Sequence, residues 1–200
     1  MSRFEMPLYD HNSRKIILAS QSPRRIELLK KIVTEFEVHP SHIDETIHLD
    51  DPALFVRDIS TQKVMAINTQ YDDSIIIGAD SIVVLQNRIL GKPENHQQAI
   101  DMLNFLSGNT HEVYTGIAIL DQRSGELTVD HEITKVTFRI LTRDEITRYI
   151  DVARPFDKAG AYGIQDESAV FVERIEGCFY NVMGLPVAKL YTSLRRFLMN

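Results

Sequence analysis

Apolar residues along the chain come in short blocks whose period changes from one segment to the next. "KIILA" (15–19) is a continuous apolar run and predicts a buried strand. Ser22 then suits an N-cap and Pro23 the first helical position. Ile26, Leu29 and Val33 follow at helical spacing, with Leu28 and Ile32 widening the stripe, so a helix leaves that strand. "FEVHP" (36–40) predicts a second strand and "HIDETI" (42–47) a polar connection. Leu54, Val56, Ile59, Val64 and Ile67 predict a helix from Pro52 to about Asn68.

Further on, "SIIIGA" and "SIVVL" read as two buried strands and "RIL" as a short return, with a hairpin tip near Gln86-Asn87. "NHQQAIDMLNFLSG" is a helix stopped at Gly108. "HEVYTGIAIL" and "ELTVDHEITKVTFRIL" alternate and are β-branched, which predicts two long strands joined by a turn near Ser124-Gly125. Thr142 caps a helix in "TRDEITRYID". "PFDKAGAYGIQ" (155–165) is an irregular loop, "SAVFVERI" a strand, and "GLPVAKLYTSLRRFL" a last helix started by Pro186. Long antiparallel pairs mixed with strand–helix units predict an α/β fold with a mixed, elongated sheet. One domain is expected over 15–200, behind a leader at 1–14.

Composition narrows the function. The 200 residues are 44% hydrophobic and 25% charged, as in ordinary globular proteins. A net charge of -6 argues against a nucleic-acid polymer as partner, though a few local cations suffice for a small anion. The single cysteine, Cys178, excludes an internal disulfide and fits a reducing compartment. No apolar run reaches the length of about 18 residues that a membrane span needs. "MSRFEMPLYDHNSRK" has no apolar core of a secretory signal, so a cytoplasmic location is expected.

Several residues carry candidate chemistry. Arg24 and Arg25 fall in the first turn of a helix, where the dipole favours acids. They are either an anion site, with both forks aimed at one place, or two solvated surface arginines. Asp80 follows an isoleucine-rich strand, where a carboxylate needs a partner or a metal; a turn aspartate is the plain alternative. Counting outward from Gln86, a hairpin brings Lys92 back towards Asp80, as a phosphate-binding pair or a simple ion pair. Asp44 and Glu45 are adjacent loop acids of the kind magnesium sites use with substrate phosphates. Lys63, inside a helix, is unremarkable alone. His42 and His48 match no zinc spacing, and Cys178 lacks an activating context. Gly160 and Gly163 allow close ligand approach, and Gln165 can orient a water, read a base edge or cap a turn.

In order, "LASQSPRR", "DE" (44–45), "QK" (62–63), "IGADSIV", "LGKP", "YTGIAI", "FDKAGAYGIQ" and "YNVMGLP" resemble the Maf family of nucleoside triphosphate pyrophosphatases. The match runs from residue 16 to about 198. The resemblance implies cleavage between the α and β phosphates of a nucleoside triphosphate, with a divalent cation, Mg2+ or Mn2+. It implies an elongated α/β fold with a cleft between two lobes, related to the inosine triphosphate pyrophosphatases, and a homodimer. Carried onto this sequence, Ser20, Arg24 and Arg25 line the triphosphate site. Glu45 and Asp80 are the metal-proximal acids, with Asp80 the proton acceptor. Lys63 and Lys92 contact phosphates, and Gln165 sits in the pocket. The positions of Arg24, Ser81 and Gln165 are tied to substrate choice, and "GIQ" after "AGAY" resembles the dTTP/UTP subgroup. That subgroup commonly has Thr where this chain has Ser81. The alternatives are a 7-methyl-GTP pyrophosphatase, or a nucleotide-binding regulator of septum formation.

Overall fold

A computed structural model of the chain describes residues 14–46 and 49–198. The leader and His48 lie outside these residues, except that Arg14 is buried and ion-paired to Asp73 and Asp121. Among the described residues one sheet contains seven strands. They are β1 (Lys15–Leu18), β2 (Glu37–Val38), β3 (Ser74–Leu85), β4 (Arg88–Leu90), β5 (Thr110–Asp121), β6 (Glu126–Phe138) and β7 (Val172–Glu176). The order is β2-β1-β3-β5-β6-β7, with β4 also paired to β3. β1 runs parallel to β2 and β3, and every other pairing is antiparallel. The fold is the mixed α/β architecture that the alternating patterns predict.

Side-chain alternation along β3 separates two cores. Ile76, Ile82 and Val84 pack towards α2 (Pro52–Ile67), against Phe55, Val56, Ile59, Val64 and Ile67. Each of these buried side chains stabilises the fold by roughly 2 kcal/mol. Ile75, Ile77, Ala79, Val83 and Leu85 face the larger core. It is completed by α1 (Pro23–Leu29), α3 (His96–Leu106), α4 (Arg143–Ala153) and α6 (Val187–Leu198).

α2 lies directly on the sheet backbone. Asp51 caps it, accepting from the Ala53 and Leu54 amides at 2.8 and 3.0 Å. Beneath it, a Cβ at Gly116 would come within 2.1 Å of the Val56 carbonyl oxygen, and one at Gly78 within 2.4 Å of that of Ser60. Only glycine at these two positions lets the helix approach so closely. Asp80 is the cross-strand partner of Gly116, so the same approach brings α2 down onto Asp80.

Five details differ from the pattern's prediction. "SIIIGA" and "SIVVL" form one 12-residue strand, because β5 pairs with it without a break from Ile75 to Val84. The β3–β4 hairpin centres between Gln86 and Asn87, with Leu85 opposite Arg88. Both tip residues have positive φ, 52° and 61°, which matches the twist of a two-residue turn. "SAVFVERI" is a 3-10 turn over Glu167–Phe171 followed by β7. A one-turn helix, α5 (Phe179–Val182), precedes α6, and α1 ends at Leu29, short of Val33.

Candidate active site

The cleft lies where the sheet opens. β1 pairs with β3 up to Ile77, and β4 begins pairing at Val83. Between those points this edge of β3 pairs with neither strand. Ligand sites in α/β sheets favour such crevices beyond the carboxyl ends of parallel strands. A cavity of about 770 Å³ fills the opening. It is lined by the segment after β1, the 40–45 loop, the middle of β3, Lys92, the 157–165 loop and residues 182–184. Its lining includes five cations (Arg24, Arg25, Lys63, Lys92, Lys158) against four carboxylates (Asp44, Glu45, Asp80, Asp157). A chain of net charge -6 therefore concentrates positive charge in its cleft.

Asp80 lies mid-strand, not at a strand end, and is buried on the α2 face. Its carboxylate is paired there because α2 delivers Lys63. The Lys63 Nζ donates to Asp80 Oδ1 at 2.7 Å and to the Ala79 carbonyl at 3.3 Å. The same Nζ lies 2.6 Å from Glu45 Oε1. Glu45 Oε2 in turn accepts from Lys92 Nζ at 2.8 Å. Burial alone would raise the Glu45 carboxyl, but the charge of Lys63 and hydrogen bonds from both lysines hold it down at about 2. Lys92 thus enters the cluster through Glu45 and not opposite Asp80: β4 stops pairing at Leu90, two residues earlier. Removing one partner from the buried Lys63–Asp80 pair costs about 3–5 kcal/mol.

The two arginines diverge. Arg24 Nη1 donates to Asp157 Oδ2 at 2.8 Å, across the cleft mouth. Arg25 turns inward. Its Nε donates to the Gly184 carbonyl at 2.9 Å, its Nη1 to Ser20 Oγ at 3.3 Å and its Nη2 to Ser81 Oγ at 3.1 Å. Burial lowers the Arg25 pKa, while Asp80 and Glu45 oppose that shift. Ser22 supplies the N-cap position of α1 without a side-chain bond; instead Ser20 Oγ accepts from the Ser22 amide at 3.2 Å.

Ser81 points to the opposite face from Asp80. Its Oγ lies 2.9 Å from Thr115 Oγ1, and Thr115 donates to the Asn181 carbonyl at 3.0 Å. A carbonyl only accepts, so the chain has one direction. Arg25 donates to Ser81, Ser81 to Thr115, and Thr115 to Asn181. Asn181 is fully buried, and its amide donates to the Val113 carbonyl and Thr134 Oγ1, both at 3.0 Å.

Gly160, at φ 67°, lies within the 157–165 loop, and its amide donates to the Gly91 carbonyl at 3.0 Å. Tyr162 lines the cleft, with its hydroxyl 2.7 Å from His111 Nε2. Burial pushes His111 down to about 3 and the Tyr162 phenol up, so both are neutral. Gln165 Nε2 donates to Asp166 Oδ1 at 3.0 Å. Its Oε1 is buried with no hydrogen-bond partner among the described residues. Gly163 lies beside it, and His42, at φ 45°, borders the cleft. Asp44 Oδ1 accepts from the Thr46 amide at 2.9 Å. Cys178 precedes α5 and is held to Thr134 through its backbone.

All nine residues that the resemblance implies (Ser20, Arg24, Arg25, Glu45, Lys63, Asp80, Ser81, Lys92 and Gln165) line this one cleft. Asp157, Thr115, Asn181 and Gly184 escaped residue-by-residue reading. Their signal lay in the motif text "FDKAGAY", "YTGIAI" and "YNVMGLP", where each stands.

A divalent cation fits the donor set. Glu45 and Asp80 offer hard carboxylate oxygens that converge on one point, and a cationic group, the Lys63 ammonium, already stands there. Among the described residues no group of three or more His, Cys, Asp or Glu side chains is placed to hold a metal. No helix among them is long and apolar enough to cross a membrane.

Known proteins resemble this chain over most of its length. The Maf-like protein family model matches residues 15–197. A dTTP/UTP pyrophosphatase of Carboxydothermus hydrogenoformans is 46% identical over 183 residues, 92% of this chain and 98% of that protein. One from Bacillus cereus is 48% identical over 186 residues (92% and 96%), and one from Desulforamulus reducens 44% over 185 (92% and 97%). Among solved structures, the Staphylococcus aureus Ham1 protein aligns at 16% identity with a TM-score of 0.45, over 62% of this chain and 72% of that one. With a family model spanning all its described strands and helices but the last residue of α6, and relatives alike over nine-tenths of its length, the chain belongs to the Maf family.

Proposed function

We propose that this protein is a nucleoside triphosphate pyrophosphatase that hydrolyses dTTP and UTP to the nucleoside monophosphate and pyrophosphate. The observation that carries the reaction is the convergence of Arg25, Lys63 and Lys92 with Glu45 and Asp80 on one cleft. The choice of base rests on the relatives named for dTTP and UTP.

A triphosphate brings about four negative charges at neutral pH. Arg25 is already oriented by Gly184, Ser20 and Ser81, so little order is lost when it grips a phosphate. Lys63 and Lys92 add compact ammonium charges beside it. Arg24 sits at the rim and can exchange Asp157 for substrate. Glu45 and Asp80 would hold a Mg2+ or Mn2+ ion; when bound, it supplies charge stabilisation on the phosphoryl oxygens. Hydrolysis of the anhydride requires one proton to leave the attacking water. Asp80 Oδ2 has no hydrogen-bond partner among the described residues and is the acceptor we assign. Gln165 lines the same cleft, and its side-chain amide, whose Oε1 has no partner among the described residues, can accept an N–H of the base. A cytoplasmic location and a homodimer belong to this reading as expectations, the homodimer from the resemblance.

The test is product analysis with Mg2+ on dTTP, UTP, CTP, dATP, GTP and 7-methyl-GTP, scoring pyrophosphate against orthophosphate. Pyrophosphate from dTTP and UTP is expected. Release chiefly from 7-methyl-GTP would overturn the substrate. Tight nucleotide binding with no release from any of them would replace the enzyme by a nucleotide-binding regulator.

A further inference from the structure

We infer that the empty protein has no vacant site for a divalent cation, and that the cation enters together with the triphosphate, displacing Lys63 from between Glu45 and Asp80. This rests on the reading of the cleft as a triphosphate site. An ammonium carries three donors, and the Lys63 Nζ meets three oxygens: Glu45 Oε1 at 2.6 Å, Asp80 Oδ1 at 2.7 Å and the Ala79 carbonyl at 3.3 Å. It is therefore a fully coordinated cation in its own right. Its position is built in, because α2 is seated by Gly78 and Gly116 and Lys63 is buried. A Mg2+ ion gripping both carboxylates would need the place the ammonium fills.

Charge leads to the same order of events. Two carboxylates meet two ammoniums, Lys63 and Lys92, so the cluster is neutral at rest. A free divalent ion gains no uncompensated charge there, and meets Lys63 as a like charge. A triphosphate changes the balance. Its oxygens give the two lysines new partners, which releases Glu45 and Asp80, and they also supply the ligands that two carboxylates alone lack. The ligand recognised is thus a metal–triphosphate complex, and Lys63 serves as the resident cation that a metal replaces.

The experiment is Mn2+ binding followed by electron paramagnetic resonance, on the full chain, with and without the α,β-methylene analogue of dTTP. The analogue alone serves as the reference for Mn2+ it binds itself. In the wild type, Mn2+ is expected to bind about 100-fold more tightly with the analogue than without protein-bound nucleotide. Equal Mn2+ affinity in the two states overturns the inference. Lys63→Met should create Mn2+ binding in the nucleotide-free protein, with a Mn2+-dependent rise in melting temperature that the wild type lacks. A folded Lys63→Met protein that gains neither also overturns it; if that variant does not fold, the wild-type comparison decides. The activity stands apart from this test. Nucleotide-dependent Mn2+ binding without pyrophosphate release would sink the proposed reaction and leave the binding order intact.

Discussion

Neighbouring residues of β3 serve two unlike halves of the cleft. Asp80 faces α2 and belongs to a charged cluster of two carboxylates and two ammoniums. Ser81 faces the other core and starts a neutral relay through Thr115 to Asn181, which orients Arg25. Strand alternation sends adjacent side chains to opposite faces, and an unbroken sheet would keep the two halves apart. Here the open edge between Ile77 and Val83 lets both reach one ligand. The charged half offers ions that can change partners. The neutral half holds its donors and acceptors in one direction. The pKa shifts follow the same division, with Glu45 kept ionised by its lysines and His111 kept neutral by burial.

The largest effect should come from breaking the charged half. Asp80→Asn is expected to lower kcat about 1,000-fold or more with the fold intact, measured as pyrophosphate release alongside circular dichroism. Near-normal turnover would remove Asp80 from the chemistry. Next comes a titration of the neutral half. His111 ordinarily titrates near 6.5 but in the fold only at about 3, so below pH 6.5 the unfolded chain binds the extra proton. Its contribution to stability is whole above 6.5 and is lost as pH falls towards 3, by about 2.5 kcal/mol between pH 6 and 4. Urea unfolding of wild type against His111→Phe should show that slope in the wild type and a shallower one in the variant.

Arg25→Lys keeps the charge and removes the fork that holds Gly184, Ser20 and Ser81 together. It should lower kcat/KM about 100-fold, and a change below about threefold would deny that orientation matters there. Thr115→Val keeps the shape and deletes the relay. About 1–3 kcal/mol of stability should go, because Ser81 and the Asn181 carbonyl lose a buried partner. KM for dTTP and UTP should rise several-fold as Arg25 loosens; unchanged kinetics would reduce the relay to packing. The smallest effect belongs to the rim. Arg24→Ala should raise KM about tenfold with kcat nearly unchanged, and Asp157→Asn should leave KM equal or lower, since it releases Arg24 to the substrate.

Much of the frame was legible because it is local. The α2 span from Pro52, the Thr142 cap, the Ser124-Gly125 turn and the long β5–β6 pair all follow from period and turn chemistry within a few residues. The misread places depend on distant chain. "SIIIGA" and "SIVVL" read as two strands because Gly78 and Asp80 interrupt the apolar run, yet β5 pairs straight across both. The Gln86 count put Lys92 opposite Asp80, but the true centre and the end of pairing at Leu90 leave Lys92 to Glu45. The adjacent arginines looked like one clamp, yet Asp157 holds one and Gly184 with Ser81 the other.

By itself the sequence determined the class of fold, the family and nine of the residues that line the cleft, because period and motif are properties of neighbouring positions. Tertiary structure alone decided which charge meets which: Lys63 between Glu45 and Asp80, Lys92 on Glu45, Arg25 at the head of a relay. Those pairings join segments up to 159 residues apart, as Arg25 and Gly184 are. They depend on a helix seated over two glycines and on a gap in a sheet edge, which exist only once the chain has packed.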